Sequence, residues 1–117
     1  MKIETKRKII DYLLDNAKEY EIQDILNFLT TTAHNNLSQK RYNSFESKFN
    51  QDQYKNRSFN GLVLNGVKYS TNDYSNKKEQ MIYSFLSYFD EESLFKLSFV
   101  IPRTQIKLNS GNEGEME

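Results

Sequence analysis

Apolar residues recur at helical spacing from the start of the chain. Ile9, Ile10, Leu13, Leu14 and Ala17 fall on one stripe, extended by Ile3 and Lys6, with Tyr12 off it; the pattern predicts a helix from Ile3 to about Lys18. From Glu21 onward, Ile22, Ile25, Leu26 and Leu29 share a face, with Phe28 at its margin. This second helix is expected to end at Thr30, Thr31 and Thr32, a β-branched run that continues a helix poorly. Asn35 or Asn36 offers a cap for a third helix reaching about Gln51, with Leu37, Tyr42, Phe45 and Phe49 turned inward. Its other face carries Gln39, Lys40, Asn43, Ser47, Asn50 and Gln51. Arg41 and Lys48 stand at the edge of the stripe, where stems pack and charged heads reach water.

The period then changes. Leu62, Val63 and Leu64 are separated from Val67, Lys68 and Tyr69 by Asn65-Gly66, the pair that best tolerates positive φ at both central positions of a type I′ turn. A two-stranded hairpin is marginal alone, so the flanking helices must cover one of its faces. After a turn-rich link, Met81, Ile82, Phe85, Leu86, Tyr88 and Phe89 mark a helix from about Asn76 to Phe89, with Ser75 or Asp73 as cap and Glu79 completing a capping interaction. Asp90 reads as the cap of a short last helix from Glu91 to about Ser98, with Leu94, Phe95 and Leu97 buried. Phe99, Val100 and Ile101 are followed by Pro102, so residues 99–108 are expected as an edge strand added to the hairpin. The fold predicted is α+β: a mostly helical single domain over residues 1–108, about five helices, a central hairpin and a third C-terminal edge strand. Residues 109–117, polar and acidic, are expected to be a disordered tail.

Composition narrows this picture. Hydrophobic residues make up 37 % of 117, yet there are eight Phe and eight Tyr, enough for a core of large side chains. There is no Cys, no apolar leader and no run long enough for a membrane span, which points to the cytoplasm and away from a membrane. The formal net charge is zero but unevenly spread. Residues 35–58 hold five bases (Lys40, Arg41, Lys48, Lys55, Arg57) against two acids (Glu46, Asp52), a net of +3; residues 90–117 hold six acids against three bases, a net of −3. A neutral total argues against a dedicated polyanion binder.

Catalytic chemistry has little to work with. His34 is the only histidine and is expected in an exposed loop; without Cys no Cys/His metal site exists. Neither G-x-x-x-x-G-K-[ST] nor G-x-G-x-x-G occurs, and Glu91 and Glu92 diverge on a helix. No catalytic residue, metal ligand or cofactor is expected, and the chain is read as a non-enzyme.

Two functional readings remain. In the first, the chain is a protein-binding module that occupies a surface on a larger protein, in the manner of small phage or mobile-element inhibitors and regulators. Its support is the surplus of tyrosines off the apolar stripes (Tyr12, Tyr20, Tyr54, Tyr74, Tyr83), a residue type suited to interfaces. In the second, the order helix, helix, helix, hairpin is that of a winged-helix DNA-binding regulator, whose third helix enters the major groove. The candidate contacts for partner or nucleic acid are Gln39, Lys40, Arg41, Asn43, Lys48, Asn50, Gln51, Tyr54, Lys55, Arg57 and Lys68. Self-association as a homodimer through the Met81 to Phe89 helix is compatible with both.

Overall fold

The structure is a computed structural model and describes residues 1–106. The expected acidic tail lies outside the described residues, as do the last two positions of the expected third strand. The elements in chain order are α1 (Lys2–Asn16), α2 (Ile22–Asn36), α3 (Gln39–Lys55), β1 (Leu62–Leu64), β2 (Val67–Tyr69), α4 (Asp73–Asn76), α5 (Lys78–Leu86), α6 (Glu91–Val100) and a 3₁₀ turn (Ile101–Arg103). The α+β fold with its antiparallel hairpin is as the sequence predicts, with six α-helices among the described residues where about five are expected. Among the described residues, no helix is long and apolar enough to cross a membrane.

Several elements differ from the sequence reading for clear physical reasons. Helix α2 runs straight through the threonine run to Asn36. Thr30 Oγ1 donates to Leu26 O (2.9 Å), and Thr32 is buried with Ala33, so internal bonding and packing outweigh poor propensity. His34 therefore sits on the last turn of a helix, not in a loop, with its ring edge-on to Tyr42 at 4.9 Å. The cap of α3 moves on to Ser38, whose Oγ accepts from Arg41 N (3.2 Å).

The expected C-terminal edge strand is absent among the described residues. Phe99 and Val100 complete α6, and Ile101 to Arg103 tighten into the 3₁₀ turn, where Pro102 can sit without its missing N–H being needed. Burial of Ile101 beside Leu94 and Leu97 outweighs the β-branched character of the segment. Asp90 caps α6 as expected, its Oδ1 accepting from Ser93 N at 2.7 Å. Glu79 does not cap α5; it accepts from Arg7 Nη1 (2.9 Å) and ties α5 to α1.

The core lies between α1, α2, α5 and α6, with α3 laid over one side through an aromatic cluster. Phe45 on α3 stacks on Phe89 with centroids 4.2 Å apart and planes at 7°, while Phe49 meets Phe85 and Tyr88 edge-on at 5.9 and 5.5 Å. Helix α5 ends at Leu86, earlier than expected, and Tyr88 and Phe89 follow in a turn whose amides bond three residues back, yet both side chains stay buried. Met81, Ile82, Phe85, Leu86, Tyr88 and Phe89 are all buried in the domain's own core. Ile3, read as part of the α1 stripe, is exposed, whereas Lys6 on the same stripe is buried.

The hairpin pairs Leu62 with Tyr69, Val63 with Lys68 and Leu64 with Val67, and both turn residues have positive φ (Asn65 +51°, Gly66 +80°), as a type I′ turn requires. Its turn does not project as a free wing. Asn65 N donates to Tyr88 Oη (2.7 Å), Tyr88 Oη donates to Asp52 Oδ2 (2.6 Å), and Gly66 N donates to the same oxygen (2.8 Å). Gln53 Nε2 donates to Val63 O (2.5 Å) and fastens β1 to α3. Tyr88→Phe deletes the hydroxyl that satisfies Asn65 N–H and is expected to cost about 1–2 kcal/mol. Urea unfolding checks this, and an unchanged midpoint would show that the clamp contributes nothing.

Candidate functional site

Helix α3 gives its inner face to Tyr42, Phe45 and the half-buried Phe49, Asp52 and Gln53, which leaves the opposite face to water over most of about 25 Å of helix. Gln39, Lys40, Asn43, Asn50 and Gln51 are exposed there, as the sequence predicts; Lys48, expected at the edge of the apolar stripe, and Lys55, expected beyond the helix but lying in its last turn, are exposed as well. Two contacts alter what they offer. Gln39 Nε2 donates to Asn43 Oδ1 (2.8 Å), so one donor and one acceptor of these amides are used on each other. Arg41 is only half-exposed and faces α6, with Nη1 on Asp90 Oδ2 at 2.7 Å and Nη2 on Glu92 Oε1. Bonds from Ser93 N and Arg41 hold the Asp90 carboxyl below its ordinary range against the opposing effect of burial.

In the last turn of α3, Tyr54 is 67 % exposed, and Arg57, just past the helix, lies over its ring at 4.3 Å with Nη1 donating to Tyr54 O (2.9 Å). Lys68 is exposed on β2, with its Nζ 5.8 Å from the ring centre of Phe59. The candidate contacts are engaged differently: Arg41 turns to α6, Tyr54 and Arg57 pair at the far end of α3, and Lys68 belongs to the hairpin. Of the off-stripe tyrosines, Tyr12, Tyr20, Tyr74 and Tyr83 lie half-buried over the rim of the core and only Tyr54 is exposed.

The feature the sequence reading misplaced is on α6. This helix buries two serines and exposes two phenylalanines: Ser93 is 2 % and Ser98 6 % accessible, against 60 % for Phe95 and 45 % for Phe99. The arrangement follows from the inward stripe Leu94, Leu97, Ser98 and Ile101, which commits the positions opposite to solvent. Ser98 tolerates burial because its Oγ donates to Phe95 O (2.6 Å). Phe95 and Phe99 meet edge-on with centroids 5.0 Å apart. Helix α1 runs alongside in the same direction, placing Lys8 over Phe99 and Tyr12 Oη at Pro102 O (3.5 Å). Next to Phe95, Asn36, Leu37, Ser38, Arg41, Glu92 and Lys96 enclose an open depression of about 370 Å³.

Two polar features elsewhere have structural explanations. Lys6 is 5 % accessible; its Nζ donates to Ser87 Oγ (2.7 Å) and lies 4.2 Å from the Tyr83 ring centre. The Ser87 hydroxyl proton is itself given to Tyr83 O (3.1 Å), so it is not aimed at a cavity. Burial, with Lys2 adding repulsion, lowers the Lys6 ammonium below the usual 10.5. The unfolded chain therefore holds more protons than the folded one between that lowered value and 10.5, and this group makes stability rise with pH there. Burial together with the Asp52 hydrogen bond raises the Tyr88 phenol, which acts in the opposite direction above about pH 10. The Lys6→Met variant is expected to lose the rise while stability at pH 7 stays the same or gains up to about 1 kcal/mol. Difference curves of urea unfolding against pH read this, and parallel curves would place the cation in water. No group of His, Cys, Asp and Glu able to hold a metal ion occurs among the described residues. Comparison of the chain with protein-family models, with curated proteins and with solved structures gives no match.

Proposed function

We propose that this chain is a non-catalytic protein-binding module, a small inhibitor or regulator that occupies a surface on a larger protein through the exposed face of α6. The observation that carries the reading is the inversion on that helix. Exposing two neighbouring phenyl rings while burying serines is unfavourable in water and becomes favourable when a partner covers the rings. Rigid aromatic anchors of this kind supply much of the energy of protein interfaces. The DNA-reading alternative draws on Lys40, Lys48 and Lys55 along α3. It is weakened by Arg41 being engaged with two carboxylates and by the hairpin turn being held against α3 instead of projecting as a wing.

The test is retention of binding proteins from cells of origin on immobilised full-length chain. The Phe95→Ala/Phe99→Ala double variant is expected to lose specific partners by at least about 30-fold, equivalent to about 2 kcal/mol, while remaining folded. If the double variant retains the same partners, and nuclease treatment or Lys40→Ala with Lys48→Ala removes them, the reading is wrong and α3 is the nucleic-acid surface.

A further inference from the structure

We infer that the α6 face takes an acidic, amphipathic helix of its partner; this rests on the protein-binding reading above and names the chemistry of what is bound. Phe95 and Phe99 stand one turn apart and touch edge to face, so they form a single apolar ridge along α6. Such a ridge fits the groove between side-chain rows of a second helix. Cations frame it. Lys8 on α1 holds its Nζ 5.2 Å from the centre of the Phe99 ring. Lys96 is exposed on α6 itself, and Arg103 Nη1 donates to Phe99 O at 2.9 Å.

Among the described residues none of these three cations forms an ion pair with a carboxylate. The acids of the neighbourhood are placed or occupied elsewhere. Asp90 and Glu92 are both held by Arg41, Glu91 stands in the first turn of α6 where the helix dipole favours it, and Glu4 lies one turn before Lys8 without pairing to it. Among the described residues the ridge is therefore flanked by cations that form no ion pair, Lys8 on one side and Lys96 with Arg103 on the other. The complement is an apolar stripe flanked by carboxylates. Covering the rings would also strengthen each new cation–carboxylate contact by excluding water.

The experiment uses full-length protein and labelled amphipathic helical peptides of about 20 residues. They share one leucine-phenylalanine stripe and differ only in flanking residues, which are glutamate, glutamine or lysine. Fluorescence anisotropy at two salt concentrations reads the affinities. The glutamate peptide is expected to bind at least about tenfold tighter than the glutamine peptide at low salt, with the preference shrinking at high salt. The Lys8→Gln/Lys96→Gln/Arg103→Gln variant is expected to abolish the preference and keep the glutamine peptide's affinity; Phe95→Ala/Phe99→Ala weakens both. Equal affinity for the two peptides, lost in the phenylalanine variant, overturns the inference and leaves the protein-binding reading in place. Binding of none of the peptides also overturns it. If the protein instead sediments with phosphatidylglycerol vesicles or binds single-stranded oligonucleotides through the same rings, both the inference and the protein-binding reading fall.

Discussion

Phe89→Ala is expected to destabilise the domain by about 3–5 kcal/mol, whereas Phe99→Ala, ten positions on, costs less than about 1 kcal/mol. Phe89 is 1 % accessible, stacks on Phe45 and meets Phe85 edge-on at 6.0 Å. Removing its ring opens a cavity at the junction of α3, the turn after α5 and α6, and the packed neighbours can close it only in part. The loss is a large fraction of the about 5–15 kcal/mol that holds a domain folded. It also removes the ring on which Phe45 of α3 stacks. Phe99 already stands in water, so its truncation removes mainly the edge contact with Phe95. Urea midpoints of the two variants decide the matter. Equal losses would mean that the α6 rings are packed into the domain and are not an open surface.

Gly61→Ala is expected to cost about 2–4 kcal/mol, well above the roughly 1 kcal/mol expected for Gly66→Ala. A Cβ on Gly61 would stand 2.3 Å from Tyr69 O and 2.7 Å from the Phe59 ring, and its φ of +156° is itself one that L-residues rarely adopt. Tyr69 pairs with Leu62, the next residue, so relief of the clash would pull the hairpin open at its base. It would also disturb the Tyr69 hydroxyl, buried 3.0 Å from Ser84 Oγ. Gly66 has the same need for positive φ but open space where its Cβ would go, so only the conformational penalty applies. Thermal unfolding of the two variants distinguishes close approach from conformation alone, and equal losses would contradict the close approach at the hairpin base.

Local chemistry made much of the fold legible. Asn65-Gly66 encodes its turn because few other pairs accept positive φ twice, and Asp90 caps α6 because a carboxylate beside free amides is favourable wherever the helix packs. The failures share a cause: long-range packing decided where local propensity was weak. Threonines 30 to 32 stay helical because Thr32 and Ala33 fill the core. A helix ending at Ser98, as the sequence alone suggests, turns Phe95 inward. With α6 carried on to Val100 and Ile101 in the turn beyond, Leu94, Leu97, Ser98 and Ile101 form a complete stripe at helical spacing. Phe95 and Phe99 then fall opposite, and a phenylalanine assigned inward by hydrophobicity alone is seen to face out. The contacts of Arg41 with Asp90 and Glu92 link positions about fifty residues apart and have no local signature. The exposure of the α3 face and of Lys68 was legible, but not that the hairpin carrying Lys68 is fastened to α3.

The most direct measurement on the central claim is site-specific photo-cross-linking in cells of origin, with a photoreactive phenylalanine analogue at position 99 and, in a second strain, at position 47 in the middle of the exposed face of α3. A protein partner seated on α6 gives a discrete, nuclease-resistant protein adduct from position 99 that is absent from position 47. Adducts from position 47 alone, or adducts removed by nuclease, would contradict it and move the working surface to α3.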